Sequence, residues 1–488
     1  MATTGSLTPA VTQFQLAPQR RFSAVGRQFL FLIPSTAVVC LDEVTGCLLD
    51  AFQDGPRNPA EVVDLLAGRF PREELVDSLV ELNQMGALLS ADVVNFIPTF
   101  QPVADPPLST LVLNVTNKCN LSCKYCYEYG QDRIAAPAPA KFMDEQTAFE
   151  SVEFLIGRGK RMPRLALTFF GGETLLNFKV VRKTVEYAQR RSKEIGKPID
   201  FSLTTNATLL TDEVIDFLAE NHVGVTISMD GPKELHDHFR TFHNGAGSYE
   251  VILPRVKSLL QRHRTRPIGA RVTLTSQVLD IISIFKHLHD EIGFYEVGFA
   301  PVTTSPDTLY SIGDSGFDVM LGQFKQLGRN YLEKAVKGEY VGFSNMTDEL
   351  QEIHTGIHKD HACGAGLGLL GVSASGDIAL CHRFADSPTH SMGNIRTGLD
   401  EQKRSDAIAQ THISRKPECH TCWVRGLCSG GCYHEAYVRY GDIGHANLHY
   451  CDWIRSWIGF CLETYAEISD RNPSFFDRFE QRKGYDAS

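Results

Sequence analysis

The chain has 488 residues, a net charge of −10 at neutral pH and 13 cysteines. The length suits two to four domains, and the mixture of acidic and basic residues argues against binding to nucleic acid or an anionic membrane surface. No run of eighteen apolar residues occurs, and residues 1–21 lack the apolar segment of a signal peptide. The odd number of cysteines fits reduced thiols better than a disulfide framework, so we expect a cytoplasmic protein with no membrane partner.

The first hundred residues predict a small domain of strands and three helices, which we place at 1–105. Two apolar segments, 29–33 and 37–41, predict a hairpin, and a further strand at 88–96 closes the domain. Helical patterns lie between them, at 43–52, 59–69 and 72–85. Residues 98–110 contain four prolines and are predicted to form a stiff linker.

Strands and helices then alternate as far as residue 302. The predicted strands are 111–115, 165–170, a strand closed by 203–208, 223–229 and 270–275, and the predicted helices are 145–157, 179–195, 212–221, 249–263 and 279–292. This alternation predicts an α/β domain with a parallel sheet wrapped by helices, at 106–305. Helical patterns at 316–337 and 347–358 predict a bridge or lid at 306–360, followed by a cysteine-rich domain at 361–488.

A cysteine motif of spacing C-x3-C-x2-C directly follows the strand 111–115. Its residues are Cys119, Cys123 and Cys126. Three thiolates so close together can hold three irons of a 4Fe–4S cluster and leave the fourth iron open for reaction. Zinc and plain core packing are the alternatives. Structural zinc takes four ligands, and the nearest histidines, His222 and His236, are far along the chain. The polar Asn120 and Lys124 between the cysteines argue against core packing.

Polar and glycine-containing motifs follow the next strands. They contain Tyr125 in the cysteine motif, then Gly171, Gly172, Glu173, Thr174, Asn206, Ser228, Asp230, Asp237, Arg240 and Arg271. Barrel-type folds place their chemistry at the carboxyl ends of strands, and glycine lets the backbone approach a ligand closely. Two simpler interpretations stay open, a plain turn at residues 230–232 and an exposed salt bridge for Arg271.

A second cysteine block has the spacing C-x12-G-x4-C, a gap, then C-x2-C-x5-C-x3-C and C-x18-C. Its seven cysteines are Cys363, Cys381, Cys419, Cys422, Cys428, Cys432 and Cys451. Gly376 marks the turn of a predicted hairpin before Cys381. A zinc ribbon is the alternative interpretation of this block. The remaining cysteines, Cys40, Cys47 and Cys461, are expected to pack in apolar surroundings.

The first cysteine motif resembles the signature of the radical S-adenosylmethionine (SAM) enzymes, in which an aromatic residue commonly precedes the third cysteine. The segment with Gly171, Gly172 and Glu173 resembles the motif that receives the amino group of SAM in that family, although Thr174 stands where proline is usual. Ala207 likewise replaces a usual glycine after Asn206. The resemblance implies a partial (β/α)6 TIM-like barrel that is open on one side to a peptide. It also implies SAM contacts by Gly171, Gly172, Glu173, Thr174, Asn206, Ser228 and Arg240. Tyr125, whose ring can lie against a flat ligand, and Arg271, whose guanidinium can pair with a carboxylate, are further candidates for SAM contact.

The second block closely resembles the SPASM domain, which carries two auxiliary 4Fe–4S clusters and would bring the total to three. The resemblance implies a distal cluster on Cys419, Cys422, Cys428 and Cys451, and a proximal cluster on Cys363, Cys381 and Cys432. The fourth iron of the proximal cluster would be vacant, or would take His358, Asp360 or His361. A vacant iron would suit a substrate thiolate.

The N-terminal domain resembles the winged-helix-like peptide-recognition element that precedes many peptide-modifying radical SAM enzymes. Such a module binds a leader peptide at a sheet edge. A DNA-binding winged helix is the alternative, and acidic residues such as Asp42, Glu43 and Asp50 argue against it.

Within the family, residues 117–123 and 126–130 make the chain most similar to the maturases of quinohemoprotein amine dehydrogenase. That resemblance implies thioether cross-links from cysteine to Asp or Glu in a small cysteine-rich subunit with a leader. An electron donor such as flavodoxin or ferredoxin is expected, and Asp230 or Asp237 is a hypothetical base for the substrate thiol. The alternatives are another protein modification, such as formylglycine formation in sulfatases or tyrosine–glutamate coupling, and a non-enzymatic iron–sulfur carrier or peptide-binding scaffold.

Overall fold

The computed structural model describes residues 13–93, 96–136 and 139–480. The N-terminal region contains two small antiparallel sheets and three helices. One sheet pairs β1 with β5, the other has the order β2-β3-β4, and the elements are β1 (Phe14–Leu16), β2 (Gln19–Ala24), β3 (Arg27–Leu32), β4 (Val38–Leu41), α1 (Glu43–Ala51), α2 (Pro59–Leu66), α3 (Arg72–Gln84) and β5 (Leu88–Ser90). The predicted hairpin and three helices are confirmed, whereas the strand predicted at 88–96 is shorter and lies partly outside the described residues.

Strand β3 is buried on both faces, which fixes the small sheet between two apolar layers. Leu30 and Leu32 belong to a separate core formed with the three helices, while Phe31 joins the main core of the protein. The ring of Phe31 meets that of Trp423 edge-on, with centroids 5.9 Å apart. The N-terminal region therefore has its own core and also packs against the cysteine-rich region.

The central domain is a sheet of six parallel strands in chain order, wrapped by helices. Its strands are β6 (Thr110–Asn114), β7 (Leu165–Phe170), β8 (Ile199–Thr205), β9 (Gly224–Ser228), β10 (Ile268–Leu274) and β11 (Glu296–Pro301). The helices between them are α4 (Glu145–Arg158), α5 (Phe178–Ile195), α6 (Asp212–Glu220), α7 (Lys233–Phe239), α8 (Tyr249–Arg262) and α9 (Ile281–Phe285), the last continued by a π-helix (Lys286–Ile292). The predicted alternation is confirmed, except that the helix predicted at 279–292 changes to π geometry halfway.

Alternation along β7, β8, β9 and β10 separates an apolar outer layer from a more polar interior. In β7, Leu165, Leu167 and Phe169 are buried, whereas the residues between them are partly open. Thr168 in β7 hydrogen-bonds to Ser202 in β8 at 3.0 Å. Apolar side chains thus pack against the helices, and the interior of the partial barrel is lined by polar groups.

The sheet continues without a break into the cysteine-rich region. Its remaining strands are β12 (Leu369–Val372), β13 (Asp377–Ala379), β14 (Ser391–Asn394) and β15 (Gly398–Leu399), and β12 pairs in parallel with β6. The predicted hairpin is confirmed as β12 and β13, and Gly376 turns between them with φ +85°. The barrel and the cysteine-rich region therefore share one ten-stranded sheet.

The remaining helices pack around this sheet: α10 (Asp314–Val336), α11 (Ser344–Thr355), α12 (Glu401–Thr411), α13 (Arg425–Cys428), α14 (Tyr433–Tyr440) and α15 (Cys451–Arg471). Phe324 in α10 meets the ring of Trp457 in α15 at 5.2 Å between centroids. Cys461 is fully buried beside Met346, as expected for a packing residue. No helix among the described residues has the length and apolar character needed to cross a membrane.

Candidate functional site

The first cysteine motif lies on a loop that follows β6 and is held by backbone hydrogen bonds. The N–H groups of Ser122 and Lys124 donate to the carbonyls of Thr241 and Phe239, at 2.8 and 3.1 Å. The N–H of Gly130 then donates to the carbonyl of Cys126 at 2.7 Å. The segment that ends α7 therefore fixes the loop that carries the three thiols.

Donor groups surround the three thiols. The N–H of Leu121 lies 3.4 Å from the Cys119 sulfur, the amide of Asn206 lies 3.8 Å from it, and Nη1 of Arg240 lies 4.0 Å from the Cys123 sulfur. Burial raises the pKa of the Cys119 and Cys126 thiols to about 12, so these groups would be neutral without a bound cation.

Three thiols on one short loop, with a guanidinium and amides directed at sulfur, fit the ligand set of an iron–sulfur cluster. Among the described residues, no group of His, Cys, Asp or Glu side chains is arranged to hold a single metal ion.

The two glycines after β7 allow a close approach of two backbone segments. A Cβ on Gly171 would overlap the carbonyl oxygen of Thr116, and one on Gly172 would overlap the carbonyl of Lys118 and the hydroxyl of Tyr129. The N–H groups of Gly172 and Glu173 donate to the Thr116 and Lys118 carbonyls at 3.0 and 2.9 Å. In the structure the glycines bring this strand end against the cysteine loop, and the predicted close approach to a ligand stays a prediction.

Glu173 is a buried carboxylate held by the next strand end. Its oxygens accept from the hydroxyl of Thr205 at 2.6 Å and from the N–H groups of Asn206 and Leu175 at 2.8 and 3.0 Å. Burial raises the pKa of Glu173, and these hydrogen bonds oppose that effect. Thr174, which replaces the usual proline, donates to the carbonyl of Thr204 at 2.8 Å. The carboxylate thus ties the ends of β7 and β8 together.

Asp230 and Arg240 form a buried ion pair under the cysteine loop. Nε of Arg240 lies 2.8 Å from Oδ2 of Asp230, and their side chains are 9% and 2% exposed. Asp230 also accepts from the hydroxyl of Tyr125 and from the N–H of Thr273, the latter at 3.1 Å. Both carboxylate oxygens are therefore engaged in positioning other groups.

The ring of Tyr125 faces protein groups in the structure. It lies 5.4 Å from the ring of Phe239 between centroids, and the Arg240 guanidinium lies 5.4 Å from its centroid. Its contact with SAM stays a prediction.

The other predicted residues occupy different surroundings. Ser228 and Arg271 are register partners on β9 and β10, so they lie side by side at the same level of the barrel. Arg271 is exposed to solvent, yet partial desolvation by the surrounding protein, followed by repulsion from Arg383, lowers its pKa. Asp237 instead accepts from the N–H of Tyr249 at 2.8 Å, at the start of α8, which is a structural contact.

The seven cysteines of the second block fall into two groups. Cys363, Cys381 and Cys432 influence one another electrostatically, as do Cys419, Cys422, Cys428 and Cys451. Ligation of clusters by these two sets stays a prediction. Of the candidates for a fourth proximal ligand, His358 pairs with Asp360 at 3.2 Å, and the His361 ring lies 5.2 Å from that of His412.

The sequence did not single out Arg383, which lies between the two kinds of cysteine group. Its guanidinium lies 4.7 Å from the ring centroid of Tyr127 in the first cysteine loop and donates to Thr303 at 2.9 Å. In their thiolate form, Cys432 and Cys381 would attract its positive charge. Its position two residues after Cys381 was the only available signal.

Residues 113–291 match the family model of the Radical SAM superfamily. This match covers most of the parallel strands and helices of the barrel. Over the described residues, the fold is an α/β partial barrel with a small N-terminal sheet region and a C-terminal cysteine-rich region.

The similarity to known proteins extends beyond residues 113–291. A serine-type anaerobic sulfatase-maturating enzyme from Bacteroides thetaiotaomicron is 26% identical over 380 residues, which covers 72% of this chain and 88% of that protein. The structure of native anSMEcpe with bound AdoMet and Cp18Cys peptide has a TM-score of 0.62 at 22% identity, covering 75% of this chain and 99% of that one. Streptococcus suis SuiB bound to its precursor peptide SuiA has a TM-score of 0.50 at 14% identity, covering 90% and 99%.

Proposed function

We propose that this chain is a radical SAM enzyme that modifies a peptide or protein substrate. The observation that carries the proposal is the group of three half-buried thiols, Cys119, Cys123 and Cys126, at the carboxyl end of a parallel sheet, within the residues that match the Radical SAM superfamily. The relatives named for sulfatase maturation, and the similar fold with a bound precursor peptide, support a peptide as the substrate.

A 4Fe–4S cluster on these thiols, together with SAM and an electron from a flavodoxin or ferredoxin, would supply a carbon radical able to remove a substrate hydrogen. The protein residues orient and stabilise this site. Arg240, locked by Asp230, places positive charge beside Cys123, and Asn206 directs its amide at Cys119. Ser228 and Arg271 are proposed contacts for the carboxylate of SAM, because a guanidinium pairs with carboxylate in two-point geometry.

Two auxiliary clusters are part of the proposal. The four-thiol group would close one cluster completely, whereas the three-thiol group would leave one iron without a cysteine ligand. Arg383 lies beside the three-thiol group and Tyr127, and so lines the space between that group and the first cysteine loop.

The N-terminal sheet offers a site for the substrate's leader. In the order β2-β3-β4, both β2 and β4 are at an edge, and β2 packs against the cysteine-rich region, with the Arg20 guanidinium 4.1 Å from the ring centroid of Trp423. An extended peptide can add to the other edge, β4, through main-chain hydrogen bonds. We assign β4 as the leader-binding strand.

Two reactions fit this scaffold. Oxidation of one serine or cysteine to formylglycine is favoured by the sulfatase-maturating relatives. Formation of a thioether between a cysteine and an Asp or Glu carbon in a small cysteine-rich polypeptide is the second candidate. It is favoured by the three-thiol group Cys363, Cys381 and Cys432, since an open iron would hold a substrate thiolate.

Co-expression with each substrate class, followed by mass spectrometry, distinguishes the two reactions. A formylglycine is an aldehyde that a hydrazide reagent labels, and the modification maps to a single residue. A thioether removes two hydrogens, joins two residues in the fragmentation pattern and consumes one thiol that could otherwise be alkylated.

The matched control for these experiments is the Cys126→Ser variant, which should modify neither substrate. The proposal fails if anaerobically reconstituted enzyme with SAM and reductant forms no 5′-deoxyadenosine. It also fails if C126S forms as much of that product as the wild type.

A further inference from the structure

Lys416 is a buried ammonium in the cysteine-rich region. Lys416 is only 1% exposed, and its Nζ donates to the carbonyl of Ser429 at 2.8 Å. The same nitrogen lies 5.3 Å from the ring centroid of Tyr433. A carbonyl and a ring face are neutral partners, so these contacts do not neutralise the positive charge.

Contacts place Lys416 beside members of both cysteine groups. The N–H of Cys419 donates to the carbonyl of Lys416 at 2.9 Å. Ser429 and Tyr433, which Nζ of Lys416 contacts, directly follow Cys428 and Cys432. Two of these three neighbours belong to the four-thiol group or adjoin it, and the third adjoins the three-thiol group.

The backbone leaves room for this ammonium. Gly430 has φ +82°, and a Cβ there would come within 2.7 Å of Cδ and 2.9 Å of Nζ of Lys416. Burial lowers the pKa of Lys416, because a charged ammonium is costly in these surroundings. Negative charge on Cys419, Cys428 and Cys363 would oppose this effect. A buried lysine is retained at such a cost where anionic groups offset it.

We propose that Lys416 is a positioning residue whose fixed charge raises the reduction potentials of both auxiliary clusters, and that of the distal cluster more. This inference rests on the proposed function, because it needs clusters on these seven thiols. Reduction adds one negative charge to a cluster, and a nearby cation in a medium of low dielectric stabilises the reduced form. No proton moves and no ligand changes in this effect.

The test is a redox titration of the reconstituted full-length protein, monitored by electron paramagnetic resonance, for the wild type, Lys416→Gln and Lys416→Met. The equilibrium constant for reduction of the distal cluster should fall about tenfold, or about 59 mV for one electron. The proximal cluster should shift less and the SAM-binding cluster not at all. Lys403→Met, which removes an exposed lysine of α12, is the control with the same change in net charge and should shift nothing.

Each outcome is decisive. Unchanged or higher potentials in both variants, with iron content retained, would overturn the inference. Loss of the auxiliary iron in both variants would assign Lys416 a structural role and would also overturn it. If the wild type itself holds no auxiliary clusters, the proposed cofactor set is wrong, and that failure is visible before any variant is compared.

Discussion

The buried pair of Asp230 and Arg240 gives the sharpest prediction about how the SAM site is built. In an Asp230→Asn variant, the amide keeps one acceptor but presents a donor where the carboxylate accepted from Arg240. The guanidinium is then buried without its counter-charge, directly beside the Cys123 sulfur. We therefore expect the variant to lose both stability and iron at the first cysteine motif.

The magnitude follows from the burial of the pair. Its two side chains are only 9% and 2% exposed, and removing one partner of such a pair costs about 3–5 kcal/mol. For a domain of this size, each kcal/mol moves Tm by about 2–4 °C, so Tm should fall by about 6–20 °C. The control is Glu250→Gln, which breaks the exposed pair with Lys233 at 2.7 Å between α7 and α8 and should cost at most about 1 kcal/mol.

Anaerobic thermal denaturation and iron analysis measure both effects. A Tm equal to that of the Glu250→Gln control, with the iron retained, would show that Asp230 does not stabilise Arg240 beside the thiols. The same variant separates two roles for Asp230. If the carboxylate were the base for a substrate thiol, the variant would keep Tm, iron and SAM cleavage, and would lose only substrate modification.

Three further predictions concern other parts of the domain. Gly172→Ala should abolish cluster binding because its Cβ would overlap Lys118 and Tyr129, whereas Gly157→Ala in α4, where the space is open, should keep full iron content. His236 is buried, which lowers its pKa to about 4, so the folded protein loses stability as pH falls from about 6.5 towards 4. Between pH 7 and pH 5, the free energy of unfolding should therefore fall by about 2 kcal/mol less in His236→Gln than in the wild type. An equal fall in both proteins would contradict the lowered pKa of His236. Cys126→Ser should end 5′-deoxyadenosine formation, because it removes a predicted cluster ligand. Cys461→Ala should preserve that activity and lower Tm only slightly. Equal formation of 5′-deoxyadenosine by the two variants would show that Cys126 is not a cluster ligand.

Much of the fold was predictable where one face of an element is apolar. Leu165, Leu167 and Phe169 alternate strictly, and β7 has the predicted bounds. Strand β2 was missed because Arg20, Arg21 and Ser23 dilute its pattern. That strand is stabilised by packing across the sheet, such as the stacked rings of Phe22 and Phe29 at 5.4 Å, and a local pattern does not contain such contacts.

The site was predictable only as far as its motifs reach. Thiol spacing marks the cysteine groups, because close thiols have few roles other than ligation. Nothing in the sequence shows that the Asp230 carboxylate would accept hydrogen bonds from Arg240 and Tyr125. These contacts depend on how α7 folds back under the cysteine loop. Lys416 and Arg383 carry no motif at all, and their significance comes from charge placed beside thiols that are distant in sequence.

The continuous sheet explains how the two cysteine blocks are held in a fixed relation. Strand β6 leads directly into the first cysteine loop, and its parallel neighbour β12 turns through Gly376 into β13 and then Cys381. The amide of Asn114, the last residue of β6, donates to the carbonyl of His382 at 3.1 Å. Gly371 in β12 admits the same segment, because a Cβ there would lie 2.6 Å from the Cys381 carbonyl carbon. Since a hydrogen-bonded sheet resists sliding by even one residue, the distance between the first thiols and Cys381 is set by strand register, not by a flexible linker.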